Sequence, residues 1–262
     1  MTSQLYSKRA LVCGATQGIG KATAIALAEK GAELILVTRN EEKLQAVLTE
    51  LNARNEQQHG YIVADFSNPL DLEKKIKEYM STNPAFDILV NNTGGPKGGL
   101  IKDAETDEFL RAFNQHLICN HILVQALYPG MIERGYGRII NVISTSVKQP
   151  LPGLGVSNTI RGAVASWSKT LANELGQYGI TVNNVLPGAT NTIRLQSIAS
   201  TKSEKTGESI EAIFAEMAAE TPMKRIAQPE EIAAAIAFLA STEASYINGI
   251  NLPVDGGRTK SL

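Results

Sequence analysis

Three glycines mark the first place in this chain where chemistry can happen. Gly14, Gly18 and Gly20 follow a short apolar run and open a helical pattern. Glycine at a strand-to-helix turn permits a tight bend and lets backbone N–H groups approach a pyrophosphate, whose charge then faces the helix N-terminus. The spacing G-x-x-x-G-x-G departs from the G-x-G-x-x-G fingerprint of other dinucleotide folds. Alone it is a weak signal. A second position lies at the end of the next apolar run. An acidic residue there would accept hydrogen bonds from the adenosine ribose of NAD and repel a 2′-phosphate. Here the chain reads Val37-Thr38-Arg39, with no carboxylate. Arg39 suits a 2′-phosphate through charge-assisted contacts. NADP(H) is therefore the expected cofactor, with NAD(H) the alternative.

The elements that must position these groups can be read from periodicity. Short β-branched runs alternate with longer helical patterns, the signature of a parallel sheet with crossover helices. Strands are predicted at Ala10–Cys13, Leu34–Thr38, Tyr61–Ala64, Ile88–Asn91, Ile139–Ile143, Thr181–Leu186 and Ile250–Val254. Several are almost continuously apolar, as expected when helices cover both sheet faces. Helices are predicted at Ile19–Lys30, Glu42–Asn55, Leu70–Met80, Glu108–Arg134, Arg161–Gly176 and Pro229–Ala240. The fold class is α/β: one Rossmann-type doubly wound domain over residues 1–262, with a seven-stranded parallel sheet. Ser200–Ser209 is polar and poor in large apolar residues, so it is expected to be a mobile loop. It leads into Ile210, Ile213, Phe214 and Met217, an apolar stripe at helical spacing.

Composition narrows the function classes. With 43% hydrophobic and 19% charged residues, the chain has the makeup of a globular domain. A net charge of -1 provides no basic field for nucleic acid or an anionic membrane. No stretch approaches the ~20 apolar residues of a membrane span. The start lacks a basic segment followed by an apolar run, so a cytoplasmic location is expected. Cys13 and Cys119 have no metal-ligand spacing and read as small buried hydrophobes; no metal is expected.

Taken together, Val12-Cys13-Gly14-Ala15-Thr16-Gln17-Gly18-Ile19-Gly20, Asn91-Asn92-Thr93-Gly94, Ser144 and Pro187-Gly188 resemble the landmarks of the short-chain dehydrogenase/reductase family. The C-terminal Pro222–Ile232 and Leu252–Gly257 are similar to its 3-oxoacyl-acyl-carrier-protein reductases. The resemblance implies that Thr16, Gln17, Ile19 and Thr38 line the nucleotide and that Asp65 and Phe66 flank the adenine. It implies that Asn91 supports the central strands and cofactor, and that Thr93, Gly94, Pro187, Gly188, Thr190 and Thr192 meet the nicotinamide half. It also implies a lid over the substrate at about 193–222. It further implies a homo-oligomer, a tetramer or dimer formed through the helices around 108–134 and 157–176 and through the last strand.

The proton chemistry departs from the family pattern. A Tyr-x-x-x-Lys pair belongs about thirteen residues after the serine, and the chain has Ser157-Asn158-Thr159-Ile160-Arg161 there. In the family the tyrosine protonates the alkoxide formed by hydride transfer, and the lysine lowers the tyrosine pKa and grips ribose. A serine hydroxyl is far less acidic than a phenol. Arg161 keeps the positive charge for ribose hydroxyls but cannot relay a proton. The family asparagine falls on His116, which can titrate near neutrality. Asn120 lies one turn further along, and Ser146 and Lys148 follow Ser144 on the same loop. Thr93 stands where alanine is usual, and Gly94–Gly99 makes an open loop beside it. The resemblance therefore implies an NADP(H)-dependent oxidoreductase acting on a small-molecule carbonyl or alcohol, possibly 3-oxoacyl. Its non-standard site would comprise Ser144, Ser157, Arg161 and His116. The alternative is an NADP(H)-binding pseudoenzyme or redox sensor without turnover.

Overall fold

The computed structural model describes residues 5–52 and 57–261. Seven strands form one sheet: β1 (Arg9–Cys13), β2 (Glu33–Thr38), β3 (Gly60–Val63), β4 (Ile88–Asn91), β5 (Gly137–Val142), β6 (Ile180–Pro187) and β7 (Asn251–Val254). The order is β3-β2-β1-β4-β5-β6-β7, parallel throughout. Each predicted strand is present within two residues. Successive strand residues point to opposite faces, and both faces are covered. Ala10 and Val12 join a core with Leu34, Leu36, Leu27 of α1 (Gly18–Glu29) and Ile236 of α9 (Pro229–Leu239). Leu11 and Cys13 join another with Ile35, Val37, Ile76 of α3 (Pro69–Thr82) and Leu127 of α5 (Cys119–Glu133). Two-sided burial is why the strands read as unbroken apolar runs rather than alternating ones.

The strand order reverses direction between β1 and β4. Loops leaving these strands diverge to the two sides, opening a crevice at their C-terminal ends. Every candidate site segment lies at that end.

Three elements differ from the sequence reading. The helix expected at Glu108–Arg134 is interrupted: α4 (Thr106–Phe113) passes through a π turn, Asn114–Ile118, into α5. Next, α6 (Gly155–Leu175) begins six residues before Arg161, so Ser157 and Arg161 share one helix. Finally, Ser200–Ser209 is not a loop. It forms the end of α7 (Ile193–Thr206), a left-handed Gly207, and the cap of α8 (Ile210–Ala219). Gly207 adopts the left-handed cap conformation that glycine tolerates, and Ser209 accepts a hydrogen bond from the Ala212 N–H at 3.1 Å. Ala199 and Ile213 are fully buried, and Lys202 pairs with Glu216 between the two helices. Few apolar side chains suffice because the hairpin needs one buried stripe per helix. The remaining helix, α2 (Glu41–Asn52), is described to Asn52; the predicted end at Asn55 lies outside the described residues.

Candidate active site

The glycine turn between β1 and α1 is built by close approach. Gly14 and Gly18 have φ of +61° and +52°, a region that costs side-chain-bearing residues energy. A Cβ on Gly14 would lie 2.5 Å from the Asn92 carbonyl oxygen, and one on Gly20 would lie 2.1 Å from the Gly14 oxygen. Asn92 braces the turn, its Nδ2 donating to the carbonyls of Cys13 and Gly14 at 3.3 and 3.4 Å. The sequence reading missed Asn92 as a site residue, although its place at the end of β4 beside the switch point was a signal.

From this turn a cleft of about 490 Å³ runs along the C-terminal ends of the strands. Gly14, Thr16, Gln17, Gly18 and Ile19 line one stretch; Thr38, Arg39, Asp65 and Phe66 another. Pro187, Gly188, Thr190 and Thr192 form the opposite wall. The Thr192 hydroxyl caps α7, accepting from the Leu195 N–H at 3.2 Å. Its methyl would lie 3.0 Å from a Cβ on Gly18, so the wall reaches directly over the glycine turn. Such a cradle, closed to any larger side chain and facing a helix N-terminus, fits the phosphates of a dinucleotide. At the far end Arg39 is 75% exposed, with Asp65 loosely beside it at 3.8 Å. Hydrogen bonding from Ser67, and the nearby Arg39, hold the Asp65 carboxyl below its ordinary range.

Two expected cofactor residues lie elsewhere. Gly20 is outside the cleft and serves the packing of the turn. Asn91 is also outside it, buried in an amide ladder that crosses the sheet. Its Nδ2 donates to Asn141 Oδ1 at 2.8 Å, Asn141 to Asn184 at 3.0 Å, and Asn184 to Asn251 at 2.8 Å. Side chains that pair across neighbouring strands satisfy buried polar groups; here they engage the Asn91 Nδ2, while its Oδ1 is buried without a partner among the described residues.

The other end of the cleft holds Thr93, Gly94, Ser144, Ser157 and Arg161 together. Ser144 Oγ accepts from the Ser146 N–H at 3.1 Å, which leaves the hydroxyl proton available to another acceptor. Ser146 itself is buried outside the cleft, Asn120 is buried on α5, and Lys148 is exposed on the loop, also outside it. Asn158 clamps the loop ahead of α6 through both backbone groups of Leu151, at 2.9 and 3.4 Å. The glycine-rich loop is open at Gly94, where a Cβ would meet nothing within 4 Å. It is tied down further on, the Gly99 N–H donating to the Gly153 carbonyl at 2.7 Å.

The departures from the family pattern meet one another. Thr93 Oγ1 lies 2.6 Å from His116 Nδ1, so a replaced alanine touches a replaced asparagine. The π turn carries His116, and such turns recur where a helix must aim a side chain into a functional region. His116 is buried, and its Nε2 has no partner among the described residues. Burial, then Arg161, then Arg194 push its pKa down to about 2, so the ring is neutral near pH 7 and is no source of an imidazolium proton. Arg161 is 7% exposed and donates to the Val142 carbonyl at 3.2 Å. Burial and the neighbouring Arg194 lower it to about 10, still charged at neutral pH. Arg194, absent from the sequence reading, lines the cleft from the first turn of α7 and donates to the Pro96 carbonyl at 2.5 Å. A cation in a helix's first turn opposes the macrodipole; that was the signal available.

Comparison with known proteins places this site in a lineage. The family model described as "Enoyl-(Acyl carrier protein) reductase" matches residues 14–259. The NADPH-dependent reductase BacG of Bacillus subtilis is 31% identical over 98% of this chain and 100% of its own. The 3-oxoacyl-[acyl-carrier-protein] reductase FabG of Vibrio cholerae is 34% identical over 97% of this chain and 98% of its own. The structure of L-sorbose reductase from Gluconobacter frateurii, complexed with NADPH and L-sorbose, superposes with a TM-score of 0.93 at 31% identity and covers 100% of both chains. A doubly wound sheet, a glycine turn at its switch point and a match across nearly the whole chain make this protein a member of the short-chain dehydrogenase/reductase family.

Proposed function

We propose that this protein is an NADP(H)-dependent oxidoreductase that interconverts a small carbonyl compound and its alcohol without the family's tyrosine and lysine. One observation carries the reading. A single cleft contains the glycine turn and Arg39 at one end and Ser144, Ser157 and Arg161 at the other. The NADPH named for BacG and for the sorbose reductase supports the cofactor. When bound, the cofactor supplies a hydride, two electrons and one proton, to the carbonyl carbon.

The residues of this chain then have distinct tasks. Ser144 donates its hydroxyl proton in a hydrogen bond to the substrate oxygen, because its lone pair is already engaged by the Ser146 N–H. Arg161 stabilises the negative charge developing on that oxygen, which a buried fixed cation does well. Ser157 offers a second hydroxyl but is too weak an acid to replace a phenol. The proton that completes the alcohol comes from water in the cleft. His116 is a positioning residue: neutral, it holds Thr93 and so the loop at Gly94. The α7–α8 hairpin acts as the lid, since Ile193, Leu195 and Ile198 already form part of the cleft wall.

A second reading has one specific support. No tyrosine lines the cleft among the described residues, and His116 is held neutral. A nucleotide-binding protein without turnover shares those features. Calorimetric titration of NADPH and NADH tests the main reading. NADPH is expected to bind at least about tenfold tighter than NADH, and Arg39→Asp to abolish that preference. Equal affinities in the unmodified protein would refute the cofactor assignment. NADPH binding with no oxidation by any carbonyl in a broad screen would favour the second reading.

A further inference from the structure

Two guanidinium groups meet at the reaction end of the cleft with no carboxylate among the described residues to answer them. A Cβ on Gly95 would lie 3.8 Å from Arg161 Nη2 and 3.7 Å from Arg194 Nη2, so both cationic heads border one backbone position. Each donates a hydrogen bond to a backbone carbonyl, Val142 for Arg161 and Pro96 for Arg194. A guanidinium carries five N–H donors, so most of this donor capacity has no acceptor among the described residues. Among the described residues neither arginine joins an ion pair. Arg161 is more than nine-tenths buried. Two adjacent cations, one of them almost fully desolvated, repel each other and are retained where an anion joins them.

The cofactor's own charges are provided for elsewhere. The pyrophosphate cradle is the turn at Gly14 and Gly18, under Thr192, and Arg39 stands at the far end of the cleft. Arg161 anchors to the carbonyl two residues before Ser144, and both arginines line the same cleft as Ser144. We propose that Arg161 and Arg194 form an anion subsite for the substrate, and that the substrate is an oxo acid whose carboxylate they clamp while Ser144 meets its carbonyl. This assignment rests on the NADP(H)-dependent reductase reading and narrows it to one substrate class. Reduction of such an acid stays balanced: the hydride goes to the carbonyl carbon, water supplies the proton to its oxygen, and the carboxylate is a bystander.

The test is binding rather than turnover. Protein saturated with NADP+, which cannot reduce a ketone, is titrated in low-anion buffer with 4-methyl-2-oxopentanoate and with its methyl ester. The acid is expected to bind at least about tenfold tighter than the ester. Arg194→Gln is expected to bring the two within about twofold, and Arg194→Lys to recover part of the difference. NADPH affinity measured on Arg194→Gln is expected to stay within about twofold of the unmodified protein. Equal binding of acid and ester, or no acid binding up to ~20 mM, would overturn the subsite while leaving the reductase reading intact. So would an Arg194→Gln variant that loses NADPH and keeps its preference for the acid, since the pair would then serve the cofactor. Inorganic phosphate binding more tightly than the oxo acid would overturn the carboxylate in favour of a phosphate ester. Failure of the unmodified protein to bind NADPH would remove the reductase reading, and this assignment with it.

Discussion

Replacing Arg161 with methionine is expected to make the cofactor-free protein more stable while weakening its grip on the oxo acid. The folded state holds this guanidinium at about 10, down from 12.5, through burial and then through Arg194. At about 1.4 kcal/mol per factor of ten, that opposes the charged form by about 3 kcal/mol. With 7% exposure, solvent does little to screen it. Because the folded pKa is depressed, the penalty is complete at every pH below about 10 and is relieved only as pH rises from there towards 12.5. Methionine keeps much of the apolar stem, but it strands the Val142 carbonyl, which costs about 1 kcal/mol. A small packing loss takes a further ~0.5–1 kcal/mol. The balance is a gain of about 1–2 kcal/mol, or about 2–4 °C in Tm for a chain of this length. Thermal unfolding of the apo protein, near pH 7.5 in a buffer without phosphate or sulfate, reads it directly. A lower Tm for Arg161→Met would refute the argument, because it would mean that the charge is already compensated in the fold. Raised Tm with undiminished affinity for the oxo acid in the NADP+ complex would remove Arg161 from the anion subsite.

Other consequences are open to the same kind of measurement. His116, neutral in the fold until about pH 2, takes up a proton more readily when unfolded; stability therefore falls as pH drops from about 6.5 towards 2. His116→Asn is expected to flatten that acid limb in urea titrations, and to leave the pH–rate profile between about 5 and 9 unchanged in shape. Gly20→Ala puts a methyl 2.1 Å from the Gly14 oxygen, so the turn must open; NADPH binding should vanish, with about 1–3 kcal/mol lost in chemical denaturation. We propose assembly through the α4 face, where Leu110 and Phe113 are 58% and 39% exposed. The double variant Leu110→Glu, Phe113→Glu is expected to lower the mass seen by light scattering, and an unchanged mass would clear that face of any role.

How far the sequence reached depended on how local the determining physics was. Strand positions were legible because two-sided burial writes itself as apolar runs. The glycine turn was legible because backbone conformation there admits little else. Arg39 was legible because its place follows from the end of β2. The apolar stripe of α8 was legible, whereas the end of α7 was misread as a loop because its stability comes from packing and caps, which a polar composition conceals. Asn91 does support the central strands, as expected, but its partner Asn141 was not legible, because nothing along the chain tells which amide on a neighbouring strand it will face.

By itself, then, the sequence determined the doubly wound sheet, the glycine turn after its first strand and the absence of a phenol where the family keeps one. Those follow from periodicity and from residues at fixed offsets. Only the tertiary structure decided what the substitutions do together. Thr93 and His116, 23 residues apart, touch through a π turn that moves the helix register. Arg194 reaches across 98 residues to the Pro96 carbonyl and comes beside Arg161. Whether a buried histidine is charged, or an arginine is answered, depends on neighbours that folding brings from distant segments, and electrostatic energies depend on distance in space rather than along the chain.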